Sequence, residues 1–292
     1  MYTAKILLFG EHTVVKGSQA LAMPLTSHYG TWQFAEEIDH TEALQQQLPQ
    51  FLDYLNDQKL SPVLDIARFS TDLEKGLYFE SSIPTGYGLG SSGALCAAIY
   101  DRYALSKTAD LLKLKKLFGT LESYFHGQSS GMDPLVCYVN QPLLIALNNN
   151  IQTVNIPTPN EKKNTLFLID THIPRKTAPF VNGFLERCED PLYAARCANQ
   201  LVPSVNEAIT ALLKNDLKLL YQAFSQISVF QFEYFEFMIP DAFKVAWKKG
   251  LESDEFKLKI CGAGGGGYLL GISEDYERTK ELLEGYDLLR IL

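Results

Sequence analysis

The segment Pro84-Thr-Gly-Tyr-Gly-Leu-Gly-Ser-Ser-Gly93 constrains this chain more than any other. Glycines at positions 86, 88 and 90 remove Cβ atoms, so backbone N–H groups can approach a ligand closely. The stretch from Ser91 to Leu105 is rich in Ala and Leu and reads as a helix opening directly after the loop. The first N–H groups of such a helix are unpaired and carry partial positive charge. Phosphate is their natural occupant. Gly86, Gly88, Leu89, Gly90, Ser91, Ser92 and Gly93 are therefore the predicted cradle. A serine hydroxyl at this point can also reach a phosphate-bound Mg²⁺. No Gly-Lys-Ser/Thr follows, so this is not a Walker A loop. The glycine spacing and the absence of a following βαβ unit exclude a dinucleotide fingerprint.

The rest of the chain mixes strands and helices without a regular βαβ period, which predicts an α+β fold. Strands are expected at 4–9, 29–35, 77–83, 142–147, 166–169, 257–261, 268–272 and 288–292. Helices are expected at 41–58, with Pro49 as a kink or split, at 109–126, with a break near Gly119, over most of 177–250, and at 275–285. Two polar stretches, 148–150 and 157–163, mark a boundary or hairpin region.

Composition bounds the function. The 292 residues carry 26 basic and 34 acidic side chains, a net charge of −8, which disfavours generic nucleic-acid binding. The five cysteines are odd in number and form no Cys-x-x-Cys pair, a pattern of reduced core thiols. No apolar run is long enough for a membrane span, and no signal-peptide pattern precedes the first strand. A cytoplasmic enzyme is the expectation.

Three segments in order resemble the GHMP kinases, the superfamily of galactokinase, homoserine kinase, mevalonate kinase and phosphomevalonate kinase. They are Lys5-Ile-Leu-Leu-Phe-Gly-Glu-His-Thr-Val-Val-Lys-Gly17, the loop above, and Lys259-Ile-Cys-Gly-Ala-Gly-Gly-Gly-Gly-Tyr268. Within the family, Gly10-Glu-His-Thr-Val-Val15 and Glu122-Ser-Tyr-Phe-His-Gly-Gln-Ser-Ser-Gly-Met-Asp133 look most like the mevalonate kinases, and Asp170 to Thr177 resembles a family segment ending in Arg-x-Thr. The chain departs from the family at Thr3-Ala4, where Pro-Gly is usual, at Gly93, where Ala is usual, and at Ser129, where Pro is usual.

The resemblance implies an N-terminal domain like ribosomal protein S5 domain 2, residues 1–160, and a ferredoxin-like C-terminal domain, residues 161–292, with the ATP site between them. It also implies transfer of the γ-phosphoryl group of ATP to the primary hydroxyl of mevalonate, with Mg²⁺ as cofactor and a homodimer as a plausible assembly. By family position Asp133 is the base and Lys5 its partner, which keeps the carboxylate ionised. Ser92 and Glu122 are the magnesium ligands. Glu11 and His12 suit hydroxyl contacts, and Arg175 or Thr177 suits a carboxylate or phosphate. Read alone, Glu122 and His126 are only a surface or packing pair one helical turn apart. Two rival readings are another GHMP kinase, acting on phosphomevalonate, a sugar or a hydroxy acid, and a relative that binds ligand without catalysis.

Overall fold

A computed structural model describes residues 1–35, 43–148, 150–157, 165–175 and 177–292. The fold is α+β, with helices and two separate sheets. The first sheet holds β1 (Tyr2–Phe9), β2 (Ala20–Phe34), β3 (Leu77–Ser81), β4 (Leu143–Ile145) and β5 (Ile151–Thr153), in the order β1-β2-β4-β5 with β3 also on β2. The second holds β6 (Thr165–Asp170), β7 (Phe256–Ile260), β8 (Tyr268–Ser273) and β9 (Leu288–Arg290), in the antiparallel order β7-β8-β6-β9.

The chain forms two compact units. One comprises Met1–Lys5, Met23–Thr85 and Leu89–Gln141, and the other Ile6–Ala22, Gly86–Gly88 and Pro142–Leu292. The boundary expected near residue 160 lies outside the described residues. Strand β2 serves both units: Gly30 to Phe34 pair with β3 in the first, and Ala20 to Ala22 pair with β4 in the second. In the first unit the Ser91–Tyr103 helix is buried almost throughout and lies against the Leu111–His126 and Met132–Val139 helices. Leu95, Phe118 and Leu135 are wholly buried there.

Three expectations need correction. The Ala43–Asp57 helix runs through Pro49 without splitting. The missing N–H at Pro49 is outweighed by burial of Leu48, Phe51 and Leu55 along one face. The Leu111–His126 helix does not break at Gly119. Glycine is needed there for space, since a Cβ would stand 3.2 Å from the Ser129 carbonyl oxygen. Strand β2 begins at Ala20 rather than near residue 29, because its first residues pair with β4.

In the second unit all five residues of β7, Phe-Lys-Leu-Lys-Ile, are buried. Alternation would send both lysines to solvent. Lys257 instead donates to the carbonyls of Gly250 at 2.8 Å and Ser253, closing the end of the Asp241–Glu252 helix. Among the described residues no helix is long and apolar enough to cross a membrane.

Candidate active site

In the first unit the Ser91–Tyr103 helix opens on Gly90, whose φ of 76° suits glycine, and no side chain caps it. Its first N–H groups are therefore left for a ligand. A Cβ on Gly90 would stand 3.0 Å from Lys5 Cγ and 3.6 Å from Asp133 Cβ, so both side chains lie against the loop. Lys5 Nζ and Asp133 Oδ2 pair at 2.9 Å. The lysine side chain is 8% exposed and the aspartate 38%, which leaves the carboxylate open to a reactant. Asp133 sits in the first turn of the Met132–Val139 helix, where the dipole favours its charge. Gly93 replaces the family's alanine for a local reason: a Cβ would come within 2.9 Å of Pro134 N and 3.0 Å of Asp133 C.

Ser92 and Glu122 meet beneath the loop. Ser92 Oγ is 3.3 Å from Glu122 Oε1, and both residues are buried. Ser129, the residue that stands where the family has Pro, donates its hydroxyl to Glu122 Oε2. Burial, and secondarily the charge of Asp133, pushes the Glu122 carboxyl up to about 7. A dication beside it would act in the opposite direction. Two adjacent hard oxygens beside an uncapped helix start would suit Mg²⁺, which takes few protein ligands.

In the second unit Glu11 is buried in an ion pair. Its carboxylate is 2% exposed, with Oε1 on Lys259 Nζ at 2.6 Å. Burial raises its pKa, and Lys259 opposes that shift. Lys259 is wholly buried and also donates to the Leu8 and Ile260 carbonyls at 3.0 and 2.7 Å. It opens the third motif, yet sequence reasoning gave it no role. The signal was a lysine in a strand three residues before the first glycine of the turn.

His12 holds a left-handed φ of 62°, which is uncommon without glycine and is a mark of constraint. Its ring lies between Phe184 and Phe235, and Nε2 meets the Ala263 carbonyl at 3.1 Å. A carbonyl only accepts, so Nε2 carries the proton and Nδ1 is an acceptor. Burial pushes its pKa down from 6.5 to about 4. A lowered pKa in the folded state means stability is present above pH 6.5 and lost as pH falls toward 4. The expected loss is up to about 3 kcal/mol. Melting temperature against pH should fall more steeply for wild type than for His12→Gln, and equal slopes would refute a buried neutral imidazole.

Arg175 and Thr177 come together, with Arg175 Nη1 donating to Thr177 Oγ1 at 3.3 Å. The guanidinium lies against two glycines, for a Cβ would come within 2.4 Å of Nη2 at Gly88 and 2.5 Å at Gly262. Its backbone N–H donates to the Gly86 carbonyl at 2.9 Å. Gly264 to Gly267 all hold φ between 70° and 152°, a turn that no residue with a side chain adopts readily. A cavity of about 530 Å³ lined by Asn199, Ser204 and Glu207 includes none of these residues.

Residues 52–141, which contain the loop, Glu122 and Asp133, match the model of the GHMP kinases N terminal domain. Curated relatives of this chain include the mevalonate kinase of Pyrococcus horikoshii, 30% identical over 158 residues, covering 47% of each protein. The match thus spans about half the length of that relative. The mevalonate kinase of Dictyostelium discoideum is 22% identical over 342 residues, covering 91% of this chain and 85% of its own. The solved L. major mevalonate kinase in complex with R-mevalonate has the same fold, with a TM-score of 0.69 over 99% of this chain and 93% of that one at 17% identity.

Proposed function

We propose that this chain transfers the γ-phosphoryl group of ATP to the primary hydroxyl of mevalonate, giving 5-phosphomevalonate. The observation that carries the reading is the Lys5–Asp133 pair at 2.9 Å against Gly90, at the mouth of an uncapped helix. Phosphoryl transfer depends on positioning and charge neutralisation more than on covalent chemistry. The loop N–H groups hold the phosphates. Asp133 accepts the proton of the attacking hydroxyl. Lys5, paired with that carboxylate, stabilises negative charge on the oxygen it exposes. Ser92 and Glu122 would hold Mg²⁺, which when bound neutralises charge on the phosphate oxygens.

His12 and Arg175 are the residues assigned to the acceptor. Nδ1 of His12 suits a hydroxyl donor, and the Arg175 guanidinium suits a carboxylate. Glu11 is assigned to the Lys259 ion pair instead of the acceptor. The choice of mevalonate rests on the relatives and on the Gly10-Glu11-His12 and Glu122–Asp133 segments. An ATP-coupled assay against mevalonate, phosphomevalonate, galactose and homoserine tests it. Turnover should be fastest with mevalonate; clear turnover of another alcohol with none of mevalonate would overturn the substrate, and none with any acceptor would favour a binding protein.

A further inference from the structure

Sequence spacing makes His126 no more than a packing partner of Glu122, yet the structure sets both side chains on one hydroxyl. Ser92 Oγ stands 3.3 Å from Glu122 Oε1 and 2.9 Å from His126 Nε2. The other carboxylate oxygen accepts from Ser129. A hydroxyl has one proton to give and two lone pairs. The ionised carboxylate that a cation requires can only accept, so the Ser92 proton goes to Glu122. Nε2 of His126 must then be the donor to Ser92. One lone pair of Ser92 is left, in a direction fixed by the other two bonds.

We propose that His126 is a positioning residue: its Nε2–H locks the Ser92 hydroxyl so that the remaining lone pair is presented to the divalent cation. This rests on the reading of Ser92 and Glu122 as the cation's ligands. Without that donor the hydroxyl can turn, and the oxygen that should meet the cation is held on one side only. His126 is the last residue of the Leu111–His126 helix and is exposed, so its side chain can be exchanged without opening the core.

The test uses the full chain with Mn²⁺ as probe and a non-hydrolysable ATP analogue, reading free Mn²⁺ by electron paramagnetic resonance. His126→Leu should raise the Mn²⁺ Kd by about fivefold to tenfold, the weight of one hydrogen bond. His126→Gln places an amide N–H where Nε2 stands and should return it to within about twofold of wild type. KM for the acceptor should stay unchanged in both. The proposal is overturned if His126→Leu binds Mn²⁺ as wild type does, or if His126→Gln is as weak as His126→Leu. Ser92→Ala separates the two layers. Weakened binding in Ser92→Ala beside normal binding in His126→Leu removes the positioning role alone. Normal binding in Ser92→Ala overturns the ligand assignment itself.

Discussion

Asp133→Asn is expected to lower kcat by about 10²–10⁴-fold, the usual contribution of a positioned general base. The substitution keeps the shape of the side chain and an oxygen that can accept from Lys5. It removes the negative charge and the capacity to take a proton. The carboxylate is 38% exposed, so the change costs little in packing. KM for ATP should move little, because the phosphate cradle is made of backbone N–H groups. Lys5→Met tests the same pair from the other side. It should lower kcat as well, since Asp133 loses the partner that holds it in place and the attacking oxygen loses its cation. Steady-state kinetics with the best acceptor, beside a thermal melt to show the fold is intact, decides the matter. A kcat within threefold of wild type in Asp133→Asn removes the base assignment.

The parts of this site that could be read in the sequence are those where a motif is a local backbone event. The loop from Pro84 to Gly93 required a helix N-terminus next to it, and the Ser91–Tyr103 helix supplies one. The strand-turn-strand around Gly264 to Gly267 was legible for the same reason: successive left-handed residues can be only glycine. The short Met132–Val139 helix that presents Asp133 was not anticipated. Its eight residues are too few for a periodic signal to stand out from a turn.

What escaped was fixed by contacts distant in sequence. Glu11 looked available to a reactant because it follows a strand, but Lys259, 248 positions away, takes its carboxylate out of solvent. Strand β7 read as a strand before a glycine turn, with nothing to say that both of its lysines turn inward to carbonyl oxygens. Ser129 read as a departure from the family pattern that removes no charge. Its hydroxyl in fact supplies a hydrogen bond to Glu122, a consequence visible only once the 127–131 turn is folded against the helix.

The Lys259–Glu11 pair leads to the largest expected change in stability. Lys259 Nζ has three protons and three acceptors, Glu11 Oε1 at 2.6 Å, Leu8 O at 3.0 Å and Ile260 O at 2.7 Å. Lys259→Met strands a buried carboxylate and two carbonyls, and should cost about 3–5 kcal/mol. The sign of its pH dependence follows from Glu11. Burial already raises that pKa, and Lys259 is the main force holding it down. Without the lysine the folded-state pKa climbs further, so the variant binds a proton on folding over a wider range and loses stability as pH rises. The gap between wild type and Lys259→Met should therefore be smaller at pH ~5 than at pH ~8. Adding Glu11→Leu to Lys259→Met removes the orphaned charge and should recover much of the loss, as replacement of a whole buried pair often does. Urea unfolding at the two pH values measures all three proteins. A loss below about 1 kcal/mol in Lys259→Met, or a gap that does not change with pH, would show that Glu11 finds another partner or reaches solvent when the lysine is gone.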